Sequence, residues 1–181
     1  MLGKWQLEAL KTWALRKSTG FKFILSPSPL ILMAPRPERS SDAWKSYPME
    51  RQHILDFLET NNIKNVVFLS GDIHIPFAAE LRPGVFEFSL SPIAGFAGDF
   101  RKIEKDHLDD ERWGEKLLWH DHNRSFYTIG LPASFSSMVN VDTTSTPKKL
   151  TVDFYSYDHD DTPLYSQTVY YNSTVISNKY N

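Results

Sequence analysis

The strongest constraint on the fold is a short apolar run, Val66-Val67-Phe68-Leu69, in a chain of 181 residues. The run does not alternate between apolar and polar side chains, so a strand formed by it would be covered on both faces. Strands of this kind occur in parallel or mixed sheets that carry a layer on each side. The run therefore predicts a layered architecture with helices packed on a sheet.

The segments before this run support that prediction. Apolar residues recur at helical spacing within residues 5–17, which predicts a first helix. Residues 21–25 are rich in β-forming side chains and are followed by two Ser-Pro steps, so we expect a strand that leads into a loop. Pro48 is typical of the first turn of a helix, and Asn61-Asn62 would end that helix. The order helix, strand, helix, strand favours an α/β fold.

The second part of the chain has a different pattern. Residues 100–122 are rich in charge and predict a further helix. Strands are predicted after it, at residues 126–129, 137–141, 150–155 and 165–171, with prolines and an acidic turn between them. We therefore expect residues 1–122 to form the α/β part and residues 123–181 to form an antiparallel β tail of the same domain.

Composition excludes several classes of protein. The net charge is −2 and neither sign forms long blocks, so the chain lacks the basic surface of a nucleic-acid-binding protein. There is no cysteine, so any metal would have to be bound by histidine and carboxylate ligands. No apolar run approaches the roughly 18 residues that span a bilayer. The first residues lack the pattern of a signal peptide, and the sequence leaves the compartment undetermined.

The segment Gly71-Asp72-Ile73-His74 directly follows the apolar run and carries the candidate chemistry. The carboxyl ends of sheet strands are where crevices open in α/β proteins. If the chain stays extended past Ser70, Asp72 and His74 lie on the same side and could bind one metal ion or a close pair. Gly71 would permit an unusual dihedral angle at the turn. Alternatively, Asp72 caps a turn and His74 is a hydrogen-bonded core residue, since short motifs often match by chance.

A wider pattern distinguishes these alternatives. Several blocks occur in a fixed order over roughly the first half of the chain: Met1-Leu2-Gly3, Phe21-Lys22-Phe23-Ile24-Leu25-Ser26, Asp42-Ala43-Trp44 with Tyr47-Pro48 and Arg51, Asn65 to His74, and Phe88-Ser89-Leu90-Ser91-Pro92-Ile93. This order resembles the second half of a PhoD-like phosphatase, a branch of the calcineurin-like metallophosphoesterase superfamily. The combination of the strand ending in Gly-Asp-X-His with the Asp-X-Trp and Arg block upstream is specific.

The resemblance implies a fold in which two sheets pack face to face between helices. It also implies hydrolysis of phosphate monoesters or diesters at a dinuclear centre of Fe, Ca, Mn or Zn, with Asp72 and His74 as metal ligands. Members of the family place their other ligands in an amino-terminal half that precedes the Met-Leu-Gly block. We therefore expect this chain to carry half of the site, to be weakly active or inactive alone, and to self-associate or to require the missing half.

Other residues are weaker candidates. Trp44 and Arg51 are predicted to contribute to the substrate pocket, although Arg51 could equally be an exposed helix residue. The His120-Asp121-His122 cluster is assigned to a solvated loop or a structural role rather than to metal binding. The acidic segment at residues 158–161 is assigned to a hairpin turn, because it lacks the glycine and glutamate of a calcium loop. The alternative function is a non-catalytic remnant or a β-rich binding module.

Overall fold

The structure is a computed structural model that describes residues 1–31, 44–72, 76–90, 115–120, 135–156, 160–173 and 176–180. The helices in these ranges are α1 (Gly3–Ala14), α2 (Pro48–Thr60) and a short 3-10 turn at Trp44–Ser46. The strands are β1 (Lys22–Ser26), β2 (Val66–Ser70), β3 (Phe77–Arg82), β4 (Val85–Ser89), β5 (Lys116–His120), β6 (Phe135–Asp142), β7 (Lys149–Ser156), β8 (Tyr165–Tyr170) and β9 (Ile176–Tyr180). No helix in the described part of the chain is long and apolar enough to cross a bilayer.

The first sheet is mixed and has the strand order β1-β2-β4-β3-β5. β1, β2 and β4 run parallel to one another, whereas β3 is antiparallel to both β4 and β5. The tight connection between β3 and β4 passes through Gly84, whose φ of +79° is readily adopted only by glycine. The predicted mixed sheet is thus confirmed, with β2 buried on both of its faces.

The second sheet contains β6, β7, β8 and β9 in sequence order, and every neighbouring pair is antiparallel. Its strands alternate between buried and accessible residues, most regularly in β7 and β8. Such alternation is expected of a sheet with one face on a core. β7 and β8 pair antiparallel and are consecutive in the chain, as expected of a hairpin across the acidic segment; residues 158 and 159 of that segment lie outside the described residues.

Two cores lie on opposite faces of the first sheet. On one face, α1 and α2 pack against alternate residues of β2, β3 and β4, including Phe68 and Phe77. On the other face, Phe86 and Phe88 of β4 pack against Leu150, Phe154 and other residues of the second sheet. The fold is therefore two sheets packed together with helices on the outer face of the first, as the sequence predicted.

The element bounds show where the sequence prediction was wrong. Helix α1 ends at Ala14 rather than at residue 17. Residues 116–120, which we placed in a charged helical region, form strand β5. Strands β3, β4 and β9 were not predicted. The other residues of the charged region in which we expected a helix, 100–114 and 121–122, and the strand predicted at residues 126–129 lie outside the described residues.

Candidate metal centre

Three parallel strands end together at one edge of the first sheet, which we call the carboxyl edge. The last residues of β1, β2 and β4 are Ser26, Ser70 and Ser89, and they are register partners across the sheet. Ser70 and Ser89 are buried. Since the strand before Asp72 is central in this parallel group, the chain emerging from β2 leaves at the position where α/β sheets most often bind ligands.

Asp72 lies two residues beyond β2 and is exposed. Its φ of +73° shows that the chain turns here, so the extended path that we assumed past Ser70 is wrong. The left-handed backbone is at Asp72 itself and not at Gly71, where we expected it. Aspartate is among the few non-glycine residues that adopt this conformation readily, and Asn62, Asn65 and Asn172 adopt it elsewhere in the described chain.

The carboxylate of Asp72 makes no hydrogen bond or ion pair with another described residue. A carboxylate that is exposed at a strand end and has no competing partner is a suitable donor for an oxophilic metal. The predicted second ligand, His74, lies outside the described residues. Within the described ranges, no group of three or more potential metal ligands comes together. The described part of the chain therefore supplies one carboxylate donor to the carboxyl edge.

Trp44 is brought to this edge by the 3-10 turn that precedes α2. Its indole Nε1 donates a hydrogen bond of 3.0 Å to the hydroxyl of Ser26, and that hydroxyl donates in turn to the carbonyl of Ser28 at 2.5 Å. The side chain is 5% exposed. Trp44 therefore fixes the chain where it leaves β1.

Arg51 lies on α2 and is completely buried, so the alternative of an exposed helix residue is wrong. Its Nε donates to the carbonyl of Leu30, and its terminal nitrogen forms an ion pair with Glu115. Burial lowers the pKa of the guanidinium to about 10, an effect that the negative charge of Glu87 opposes. Arg51 thus holds a buried charge between the helix and the sheet.

Glu87, which sequence reasoning missed, is the buried acidic residue beside Arg51. It is 0% exposed in the middle of β4. Its two carboxylate oxygens each accept a backbone N–H at 2.8 Å, one from Leu30 and one from Ile31. Burial raises the pKa of this carboxyl, and the two N–H donors and Arg51 oppose the rise. The sequence did offer one indication of this buried carboxylate, because Glu87 lies between two aromatic residues, Phe86 and Phe88.

The cluster at residues 120–122 also begins at the carboxyl edge. His120 is the last residue of β5, and its register partner is Phe77, which pairs on its other side with Ser89. His120 is therefore a strand residue, so the predicted alternative of a solvated loop is wrong for this residue. Asp121 and His122 lie outside the described residues, so the role assigned to this cluster stays a prediction.

The comparisons with known proteins identify the family. A model of the PhoD-like phosphatase family matches residues 1–128, which is more than half of the chain. The chain belongs to the PhoD-like phosphatase family. Alkaline phosphatase D of Bacillus subtilis (strain 168) is 39% identical over 59 residues. A solved structure of PhoD superposes on 98% of this chain with a TM-score of 0.64 at 17% identity, and this likeness supports the fold.

The PhoD-like relatives are much longer than the matched region. The alignment covers 33% of this chain but only 10% of the Bacillus subtilis protein. In the structural comparison, this chain spans 35% of the solved PhoD chain. This chain thus corresponds to about a third of the solved PhoD chain. The matched third includes the carboxyl edge after β2.

Proposed function

We propose that this protein contributes Asp72 and His74 as metal ligands to a metal-dependent phosphoesterase, which hydrolyses phosphate monoesters or diesters. The observation that supports this most directly is the position of Asp72. In a member of the PhoD-like phosphatase family, an exposed carboxylate with left-handed backbone follows the central parallel strand at the carboxyl edge. Because this carboxylate makes no hydrogen bond with a described residue, it does not cap the turn and is available to a metal ion.

The residues of this chain would orient and support the centre. Asp72 would offer its carboxylate at a backbone angle set by the turn after β2, and His74 would follow on the same connection. When bound, the metal ions neutralise phosphate oxygens and make water more acidic. A site with mixed carboxylate and imidazole donors suits Fe, Mn or Zn, and Ca would favour additional oxygen donors.

A metal titration tests the ligand assignment. We expect His74→Ala and Asp72→Asn each to weaken Mn²⁺ binding to the purified chain by about tenfold or more, because each removes a direct donor. His53→Ala and Asp161→Asn are matched controls, since both residues are exposed and lie outside the proposed site. Hydrolysis of p-nitrophenyl phosphate and bis-p-nitrophenyl phosphate should fall with the metal. Unchanged Mn²⁺ affinity in His74→Ala would refute the assignment of that ligand.

We propose a supporting role for Trp44 and Arg51 in the substrate pocket. Their direct contact with a phosphoester was predicted from the sequence, and it stays a prediction. Both side chains are nearly or completely buried and are engaged with the segment that follows β1. That placement favours shaping of the pocket over a bidentate contact between Arg51 and phosphate.

We propose that the outer side of β1 packs against the rest of the phosphatase domain. Among the strands of the described residues, β1 lies at an edge of the first sheet, and Leu25 in it is 79% exposed. Between β1 and α1 lies a cavity of about 520 Å³ lined mainly by apolar residues, among them Leu10 and Trp13. Trp5 on α1 is 88% exposed. Since this chain spans 35% of the solved PhoD chain, the other part of that fold must pack on some surface of it.

The isolated chain should therefore self-associate through this face, because exposed sheet edges and apolar patches promote association. We expect Leu25→Lys to reduce the average mass measured by light scattering. Met49→Lys is the control, since Met49 is 82% exposed on α2. A monodisperse monomer of the unaltered chain would contradict an open β1 face.

A further inference from the structure

One buried polar group, which we call the Glu87 cluster, lies between α2 and the first sheet. It consists of the side chains of Glu87 and Arg51 and the backbone of Leu30 and Ile31. Glu87 accepts the N–H groups of Leu30 and Ile31, and Arg51 donates to the carbonyl of Leu30. Both polar groups of the Leu30 backbone are thus bonded to charged side chains. Leu30 is 0% and Ile31 is 5% exposed, so neither backbone is held by water.

The Glu87 cluster lies on the helix-facing side of the first sheet. Glu87 is the register partner of Phe68 in β2, and Phe68 belongs to the core formed with α1 and α2. The flanking residues Phe86 and Phe88 face the second sheet instead. The carboxylate therefore replaces an apolar side chain at a position that the alternation of β4 assigns to the core.

The cluster joins the chain segments that meet at the carboxyl edge. Glu87 is two residues before the end of β4, and Leu30 and Ile31 are four and five residues beyond the end of β1. Phe68, the partner of Glu87, is four residues before Asp72. One carboxylate in β4 thus fixes the chain leaving β1 relative to β2, from which the Asp72 turn emerges.

Stability alone does not account for this arrangement. Removing a carboxylate and a guanidinium from water is costly, and well-packed apolar replacements of buried ion pairs are often neutral or stabilising. Buried charges have a better-supported use in specifying one arrangement among alternatives. Here the arrangement specified is the path of the backbone at Leu30 and Ile31.

We propose that Glu87 is a positioning residue of the metal site, which holds the segment after β1, through Leu30 and Ile31, in a fixed place relative to β4 and to its neighbour β2, the strand that leads to Asp72. This inference rests on the proposed function, since it assigns Glu87 to the support of that site. Arg51 assists by binding the Leu30 carbonyl and by placing a positive charge near the carboxylate. Glu87 itself does not contact substrate or metal.

Amide hydrogen exchange measured by NMR tests the positioning directly. Glu87→Gln keeps the size of the side chain but removes its charge, and its amide places an N–H₂ where one backbone donor now binds. We expect exchange of the Leu30 and Ile31 amides to accelerate by about 100-fold or more, while Val67 and Phe86 stay protected. The matched control is Glu80→Gln, because Glu80 is in the same sheet and its carboxylate accepts the N–H of Gly84 at the opposite edge.

A second readout connects the cluster to the metal. We expect Glu87→Gln to weaken Mn²⁺ binding by about tenfold and Glu80→Gln to leave it unchanged. Unchanged protection at Leu30 and Ile31, or equal loss of Mn²⁺ affinity in both variants, would overturn the inference. If the unaltered chain binds no Mn²⁺, the ligand assignment fails, whereas the exchange rates still decide whether Glu87 holds the segment. If Glu87→Gln does not fold, exchange at Leu30 and Ile31 in Glu87→Asp decides the same question, because the shorter side chain keeps the charge but draws the carboxylate away from the two N–H groups.

Discussion

Replacement of Arg51 by methionine tests how much of the fold depends on the buried charges. Methionine retains a long unbranched side chain but cannot donate to the carbonyl of Leu30 or pair with Glu115. It also leaves Glu87, which is 0% exposed, without its nearby positive charge. The variant therefore keeps the volume of the side chain approximately and removes the positive charge that compensates the buried carboxylates.

The magnitude follows from these losses. A hydrogen bond from a charged group contributes about 1.5–3 kcal/mol. Removing one partner of a buried ion pair costs about 3–5 kcal/mol in total, because the other charge stays buried and unpaired. Typical domains have a free energy of unfolding of only about 5–15 kcal/mol. With a urea slope of about 2 kcal/mol per M, the unfolding midpoint should fall by about 1.5–2.5 M.

Arg82→Met is the matched control for urea unfolding followed by circular dichroism. Arg82 is 6% exposed, but its partners Glu59 and Asp56 have side chains that are 54% and 56% exposed. Ion pairs with solvated partners contribute about 0–1 kcal/mol. Arg82 also donates a hydrogen bond of 2.7 Å to the carbonyl of Leu81, which adds about 1.5–3 kcal/mol. Arg82→Met leaves no buried charge unpaired and should therefore cost less than Arg51→Met.

A double variant separates electrostatic coupling from packing. Arg51→Met combined with Glu87→Gln should cost at least about 1 kcal/mol less than the sum of the single changes, since the neutral side chain no longer needs a positive partner. Equal costs for Arg51→Met and Arg82→Met, or strict additivity with Glu87→Gln, would refute the reasoning.

Two further predictions concern the second sheet. The Oδ1 of Asp142 accepts hydrogen bonds from the N–H and hydroxyl of Thr144, which lower the pKa of Asp142 to about 2 from a usual 3.8. The folded pKa is depressed, so this stabilisation is present above about pH 4 and is lost as the pH falls toward 2. Asp142→Asn should therefore flatten the decline in thermal stability between pH 4 and pH 2, and an unchanged decline would contradict this. Phe154 is 0% exposed, and its ring centroid lies 4.8 Å from that of Trp119. Phe154→Ala should cost about 3–5 kcal/mol in urea unfolding, whereas Met138→Ala, at a residue that is 57% exposed, should change little; comparable costs would contradict the assigned core.

The parts of the fold that could be predicted are those in which one face or both faces are uniformly apolar. β2 was predicted because Val66 to Leu69 has no polar interruption, and β7 was predicted because its side chains alternate. The hairpin of β3 and β4 was missed because Glu80, Arg82 and Glu87 interrupt its apolar pattern. Two of these three charged residues are buried, which a pattern based on polarity treats as exposed.

The candidate site shows a similar division. The motif correctly located Asp72 after a central strand. The left-handed turn at Asp72 was not predicted, because the sequence suggested an unusual backbone angle at Gly71 instead. The burial of Arg51 could have been predicted from helical spacing, since Ile54, Leu55 and Leu58 follow it on the buried face of α2. Glu87, the buried carboxylate whose charge acts on Arg51, lies 36 positions later in the chain. Pairing over that separation is set by the topology of the sheet, which the sequence did not reveal.

The family match ends at residue 128, yet the packing of the chain does not divide there. Phe86 and Phe88 of β4 lie against Leu150 and Phe154 of the second sheet. A boundary drawn from similarity alone would therefore cut through a shared core and expose the inner face of β4 to water. The tail beyond residue 128, which the family model does not match, supports the back of the same strand whose front carries Glu87. The shape of a strand in the recognised family region thus depends on side chains that lie outside that region.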